Sequence, residues 1–339
     1  MKLNYLRHIF SVVVIILAGW FLYAKFKGTY YDIPLVFKEA NLALLWILVL
    51  LQALSYVSDG WLSQILLRIA GFRVGFKNTL SVAVLGVLGG QIAPLFGGTM
   101  LIFYFYKKLK LPSGTILFLT TSWTLCNFAV AFFFFVFSLF FMPKSDLSLI
   151  SQPAVTVILF LSLALTLLIY FLMKQGGRYL MALLDFLARF LNRVGKAFKK
   201  GHLVDPAKPR KFVSDFYQSY NLLISNKRRL PEIILASTMY YLTNILTLYF
   251  AFWVFGYHLT LTTVIFGFTL ASILTVLALI PATPGVMEAS LTVVFLKLGI
   301  PAHIALLTIV LYRLLSYWLP LPLSAFLYFK VKAGDKNNR

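Results

Sequence analysis

"GGQIAPLFGGTM", residues 89–100, interrupts an apolar run that extends from residue 79 to residue 106. Four glycines and one proline in twelve residues, with Gln91 and Thr99 among them, are poor material for a continuous membrane-crossing helix. Glycine leaves the backbone loose, and Pro94 lacks the N–H that the helical ladder needs. A second stretch, "LIPATPGVMEAS" at residues 279–290, breaks the apolar run 262–298 in the same manner. Aligned on their first prolines, Pro94-Leu-Phe-Gly-Gly98-Thr-Met100 and Pro281-Ala-Thr-Pro-Gly285-Val-Met287 share Pro-x-x-x-Gly-x-Met. The arms of the first run, 79–93 and 95–106, have 15 and 12 residues. At about 1.5 Å per residue, neither crosses a hydrocarbon core about 30 Å thick. In the second run, 262–280 has 19 residues, nearly a full span, and only 287–298 is short. Each break therefore reads as the tip of a re-entrant helical hairpin, and the two together as a possible inverted repeat.

The bulk composition agrees with a membrane setting. Of 339 residues, 60% are hydrophobic and 12% charged, with a mean hydropathy of +0.87; a soluble domain carries about 25% charged residues. The apolar runs fall at about 8–24, 41–67, 79–106, 114–141, 154–173, 232–255, 262–298 and 303–329. They do not alternate with period two, which excludes a β-barrel. The expected fold is an all-α polytopic membrane protein, a bundle of about six full spans plus two re-entrant hairpins, forming one membrane domain over 1–339. Lys2 and Arg7 precede the first run and no small-residue cleavage site follows it, so it reads as a retained helix. The single cysteine, Cys126, excludes an internal disulfide and a cysteine-based metal cluster.

Charge gives the orientation. If each interrupted run enters and leaves on one side, the segments 1–7, 68–78, 107–113, 174–231 and 330–339 share a side and hold 25 of the 31 basic residues. Only Lys25, Lys27, Lys38 and Lys144 fall on the other side, with Lys297 and Arg313 inside apolar runs. Basic loops stay cytoplasmic, so both termini are expected there, in the cytoplasmic (inner) cell membrane. The net charge of +21 points to anionic headgroups and not to nucleic acid, because the basic residues flank apolar segments. The segment 174–231 between the two halves reads as a basic amphipathic insertion. Asp185, Arg189, Arg193, Lys196 and Lys200 oppose Leu184, Leu187, Leu191 and Val194, and residues 211–226 repeat the pattern through Val213, Phe216, Tyr220 and Leu223.

Ionisable side chains at membrane depth mark candidate functional residues. Asp59 ends a polar stripe, Gln52-Ser55-Tyr56-Asp59-Ser63, that must face protein, water or the cytoplasmic interface. Glu288 follows Gly285 at the start of a short arm, where unpaired N–H groups and a positive dipole end are presented. Arg313 lies one turn from Tyr317, and a lone charge of either sign is costly there, so Glu288 and Arg313 are expected to pair. Gly97, Gly98 and Thr99 open the other short arm and offer backbone N–H groups to a phosphate without side-chain obstruction. Thr120-Thr124-Asn127 and Tyr240-Asn244-Thr247 either line the same cavity or act as interhelical hydrogen-bond glue.

The block Pro281-x3-Gly285-x2-Glu288-Ala289, then Leu298-Gly299-Ile300-Pro301, then Tyr312-Arg313 with Trp318 and Pro320, resembles the transmembrane region of lysylphosphatidylglycerol synthases, a flippase-like membrane family. The likeness extends more weakly over nearly the whole chain, including Pro94 and Gly98. Where that family carries an acidic residue and then an arginine, this chain has Thr99 and, close by, Ile102. The resemblance implies a helical bundle with re-entrant hairpins that moves a modified phospholipid between leaflets. With a ten-residue tail from Lys330, it also implies the translocating part without the aminoacyl transferase.

The leading reading is thus a lipid translocase, not an enzyme, with no cofactor and no metal. Its substrate is an anionic phospholipid or a polyprenyl-phosphate derivative, and a homo-oligomer or an envelope-synthase partner stays open. No G-x-x-x-x-G-K-[ST] loop occurs for nucleotide hydrolysis. A small-solute secondary transporter and a non-transporting partner of a cell-envelope lipid synthase are the alternatives. A membrane-embedded transferase would need a general base and usually a metal, yet the four histidines sit at segment ends or in loops.

The topology is testable in a Cys126→Ser background. Lys144→Cys is expected to react with an impermeant maleimide added from outside. Reaction from the cytoplasmic side alone would remove the two-hairpin arrangement.

Overall fold

The computed structural model describes residues 40–92, 97–143, 155–161, 207–277 and 286–336, with single positions at 164, 182 and 186. Among the described residues every regular element is helical. Helices α1 (Leu45–Ile69), α2 (Phe76–Ile92), α3 (Gly97–Lys108) and α4 (Ser113–Phe141) make a first run. Helix α5 (Ala207–Ser225) follows. The second run is α6 (Leu230–Val254), α7 (Leu261–Leu277), α8 (Val286–Lys297), α9 (Ala302–Arg313), a π turn over Leu314–Trp318, and α10 (Pro320–Lys336). Among the described residues, four stretches are long and apolar enough to cross a membrane: Leu42–Ile69, Ser113–Phe141, Lys227–Val254 and Ala302–Lys330. The expected spans 8–24 and 154–173 lie outside the described residues, apart from 155–161 and 164, which are helical. The amphipathic segment expected over 178–200 also lies outside them, save for Ala182 and Phe186.

The two runs match element by element. Helices α1 and α6 each have 25 residues, α2 and α7 each 17, α3 and α8 each 12. The last spans, Ser113–Phe141 and Ala302–Lys330, each have 29. Leu45 and Leu230, like Phe76 and Leu261, are 185 positions apart; beyond the tips, Gly97 and Val286, like Ser113 and Ala302, are 189 apart. The second run thus holds four more residues between these points, and this changes the register read from the prolines. The Pro-x-x-x-Gly-x-Met match sets Gly98 against Gly285, whereas the helices set Gly98 against Met287 and Thr99 against Glu288. The arm expected at 262–280 is helical over Leu261–Leu277, and its last three residues lie outside the described residues.

Matching caps extend the correspondence. Helices α1 and α6 end on Gly71 (φ 88°) and Gly256 (φ 68°); α3 and α8 end on Lys110 (φ 61°) and Gly299 (φ 78°). At all four ends the next N–H reaches back to close the last turn: Phe72 to Leu67, Tyr257 to Phe252, Leu111 to Tyr106 and Ile300 to Phe295. Lys108-Leu109-Lys110-Leu111-Pro112 and Lys297-Leu298-Gly299-Ile300-Pro301 are the sequence trace of that shared corner.

The second run is laid down in the opposite sense. Asn41 N, just before α1, donates to Val254 O, the end of α6, at 2.8 Å, and further along Ser55 meets Asn244, so the two helices pack antiparallel. Arms α2 and α3 pack on each other, as do α7 and α8. The exchange between halves is reciprocal: α2 packs on α10 and α7 packs on α4. Two large apolar cores result, beside a smaller cluster of Ala70, Phe118 and Phe216. One joins Leu48, Phe128, Phe252, Phe266 and Phe295; the other joins Leu62, Leu66, Tyr106, Ile116 and Ile233. Between them α1, α4 and α6 place polar residues.

Helix α5 lies against the start of α4, with Val213 and Phe216 buried and the Phe118 and Phe216 rings edge to face at 6.2 Å. This face packs on the bundle. Gly114 permits the approach, because a Cβ there would collide with the Phe212 carbonyl oxygen and stand 2.7 Å from Phe216 N. Neither is a flexible side-chain tip that can yield.

Ser219 Oγ lies 3.3 Å from Thr115 Oγ1. Thr115→Cys with Ser219→Cys, in the Cys126→Ser background, is expected to form an oxidative cross-link. Adding Gly114→Val should lower its yield by about fivefold or more, as overpacking of about 1–3 kcal/mol predicts; an unchanged yield would mean α5 does not rest on α4.

Candidate functional site

Along α1 the polar stripe faces protein, with Gln52, Ser55 and Ser63 buried. Gln52 Nε2 donates to Thr247 Oγ1 at 2.9 Å and to Asn244 Oδ1 at 3.4 Å. Asn244 Nδ2 donates to Ser55 Oγ at 2.7 Å, and Tyr312 OH donates to Asn244 Oδ1 at 3.0 Å. Asn244 and Thr247 therefore act as interhelical glue, one of the two roles open to them in the sequence. In the other stripe Thr124 is exposed and Thr120 bonds its own helix backbone, so those two do not join the cluster. Asn127 is buried; its Nδ2 donates to Trp123 O at 3.0 Å, while its Oδ1 has no partner among the described residues.

Asp59 is turned toward neighbouring helices of the bundle. Trp123 Nε1 of α4 donates to its Oδ1 at 2.6 Å. The Trp123 ring meets the Tyr240 ring of α6 edge to face at 5.9 Å. Asp59 is thus a carboxyl group held where α1, α4 and α6 converge.

The second charged group is the expected pair. Arg313 Nε donates to Glu288 Oε1 at 2.7 Å, with side-chain exposures of 12% and 21%. Glu288 is the third residue of α8, where the positive end of the helix dipole favours a carboxylate. Arg313 closes α9, and its guanidinium lies 4.7 Å from the centre of the Tyr317 ring, a cation–π contact. Just beyond, the helix opens into the π turn, with Leu319 N donating to Leu314 O at 2.7 Å. Pro320 has no N–H, so the Ser316 carbonyl lacks its ordinary helical donor. Tyr56 OH supplies one at 2.8 Å and ties the middle of α1 to this turn.

Two of these features escape a reading by local spacing. Trp123 was hidden in an aromatic-rich span, and the Tyr56–Ser316 bond joins residues 260 apart. The missing N–H of Pro320 was the available signal for the second. Gly97, Gly98 and Thr99 open α3 as expected. Residues 93–96 and 278–285, with Gly285, lie outside the described residues.

A family model described as the lysylphosphatidylglycerol synthase TM region matches residues 8–324. A UPF0104 membrane protein of Methanocaldococcus jannaschii is 23% identical over 76% of this chain and 75% of its own length. One from Pyrococcus horikoshii is 26% identical over 45% of this chain and 46% of its own. One from Methanothermobacter thermautotrophicus is 30% identical over 34% of each.

Removing one member of the Glu288–Arg313 pair leaves a largely buried charge, at a cost of about 3–5 kcal/mol. The double variant Glu288→Gln, Arg313→Gln is expected to be less destabilised than the two single variants summed. Additive losses in thermal unfolding would separate the two residues energetically.

Proposed function

The chain belongs to the family of the lysylphosphatidylglycerol synthase transmembrane region, and on that premise we propose that this multi-pass membrane protein is a lipid translocase. It carries a phosphate-bearing headgroup, from a phospholipid or a polyprenyl phosphate, between leaflets while the acyl or prenyl chains stay in the surrounding hydrocarbon. The observation that carries the reading is the Glu288–Arg313–Tyr317 group at the start of a half-helix. A guanidinium has five N–H donors in a planar fork, more than one carboxylate uses, and it suits a phosphate. Glu288 balances that charge when the site is empty and offers a contact to a cationic headgroup when it is full.

In this reading the two arm pairs are re-entrant hairpins entering from opposite faces, and the halves form an inverted repeat. The phosphate lies between the half-helix starts at Gly97–Thr99 and Gly285–Glu288, drawn by the helix N-termini and Arg313. Matched 17- and 12-residue arms in both halves support this geometry. The two arms of each hairpin are too short to span alone, so their tips come to rest inside the bilayer. Asn127, Asn244 and Asp59 belong to the polar layer that lets a headgroup pass. The basic segment 174–231, of which Ala207–Ser225 rests on the bundle, stays in the cytoplasmic headgroup layer.

Leucine at Gly98 or Gly285 blocks backbone approach while remaining compatible with the membrane. Gly98→Leu and Gly285→Leu are expected to give folded, monodisperse protein that no longer moves a fluorescent phosphatidylglycerol across vesicle bilayers. Full lipid movement in both would remove the phosphate site, and wild-type protein that moves no lipid would favour a small-solute transporter.

A further inference from the structure

We propose that Asp59 is a proton-binding site, occupied in the arrangement described here, whose loading and release gate the lipid movement inferred above. The argument begins with the repeat. Asp59 and Asn244 are 185 positions apart, the spacing of their helices, and Trp123 and Tyr312 are 189 apart, the spacing of theirs. The two hydrogen bonds correspond: Trp123 Nε1 donates to Asp59 Oδ1 at 2.6 Å, and Tyr312 OH donates to Asn244 Oδ1 at 3.0 Å. One structural position is thus built twice, once with an amide and once with a carboxyl group.

The amide shows what the position requires. While Asn244 Oδ1 accepts, Nδ2 donates to Ser55 Oγ at 2.7 Å and to the carbonyl of Tyr240, one turn back, at 2.8 Å. At Asp59 the counterparts of these two acceptors are Tyr240, in place of Ser55, and the Ser55 carbonyl, in place of that of Tyr240, where a second oxygen placed like Asn244 Nδ2 would meet them. An ionised carboxylate would face that carbonyl acceptor to acceptor. A carboxylic acid has one accepting oxygen and one O–H donor, which is the pattern of the amide.

The charges around Asp59 agree. On its own helix Tyr56 lies toward it; α3 contributes Tyr106 and α6 contributes Tyr240, all neutral phenols within its electrostatic reach. Helix α4 supplies the Trp123 indole and carries the free thiol of Cys126. Helices α2 and α5 bring Lys77, Arg210, Lys211 and Asp215 only near the basic end, and none of these bears on Asp59. Arg313, the one cation in the described interior, bears on Tyr56 and Tyr312 and is paired with Glu288. Among the described residues, Asp59 has no cation beside it. A buried carboxylate with no counter-charge neutralises itself by taking a proton. Loading forms an O–H bond at Oδ2 with a proton from water, release breaks it, and no electron changes hands.

The connection to lipid movement is mechanical. Tyr56, one turn from Asp59, holds the π turn that follows Arg313, so a charge appearing at Asp59 acts on the segment that positions the guanidinium. This gating role rests on the translocase reading; the proton site itself does not.

Infrared spectroscopy of wild-type protein in bilayers is the test. At about pH 7, well above the ordinary Asp range, a carbonyl stretch of a protonated acid is expected. It should shift in D2O, persist in Glu288→Gln, move in Trp123→Phe and vanish in Asp59→Asn. Should the asparagine variant fail to fold, Asp59→Glu moves the band and supplies the assignment. If no protonated-acid band depends on Asp59, the proposal is overturned, whatever lipid transport shows. Lipid movement in vesicles that varies with pH in wild type and is flat in Asp59→Asn supports the gating role. An equal pH dependence in both overturns that role and leaves the band to decide the proton site. A band at Asp59 in protein that moves no lipid retains the proton site and removes the translocase.

Discussion

Inside hydrocarbon a polar side chain has no water to turn to, so it must find its partner within the protein. The seam between α1 and α6 is where this requirement is met most densely. Gln52, Ser55, Asn244 and Thr247 satisfy one another across two antiparallel helices, with Tyr312 arriving from a third. Sliding one helix by a single turn, about 5.4 Å, separates every one of these pairs, so the seam fixes the register of the two halves. The rest follows from that register. Each half's hairpin packs on the other half's final helix.

Much of this was legible in the sequence, and the rest was hidden for identifiable reasons. The Gly/Pro breaks fall between the short helices that pack on each other in each half, because helix interruption is a local property of a few residues. The opposed charges of Glu288 and Arg313 announced their pairing, since the cost of leaving either alone is large. The register read from the prolines differs from that of the helices, whose offset is 185 positions before the breaks and 189 after them. Prolines in a connection do not have to keep step with the helices they join. The better marker was the corner after the second arm, where Lys-Leu-x-Leu/Ile-Pro closes α3 and α8 alike. Trp123 was invisible for another reason: in a span rich in aromatics, an indole that donates to a carboxyl group looks like one that only packs.

The two halves have kept the same framework and divided the charges between them. Glu288 and Arg313 of the second half stand opposite Thr99 and Thr124 of the first, and Asp59 of the first stands opposite Asn244 of the second. In a duplicated framework with every counterpart identical, a charge placed in one half would be met by a like charge in the other, and each would need its own compensation. Among the described interior residues, dividing them leaves one ion pair in the second half and one carboxyl group without a counter-charge in the first.

This division has a mechanical consequence. Both sites reach the same π turn, Arg313 by covalent continuity and Asp59 through its neighbour Tyr56. A π turn holds one more residue than an ordinary helical turn, and such turns occur often at functional sites because the surplus residue can be passed along the helix. Here Pro320 withholds its N–H and makes the Ser316 carbonyl depend on a hydroxyl from another helix. Were Pro320 an ordinary residue, the Ser316 carbonyl would have its own helical donor and the Tyr56 bond would be redundant. With proline there, the turn keeps its carbonyl paired only while α1 stays beside it, and the two halves are bound at the point where the guanidinium begins.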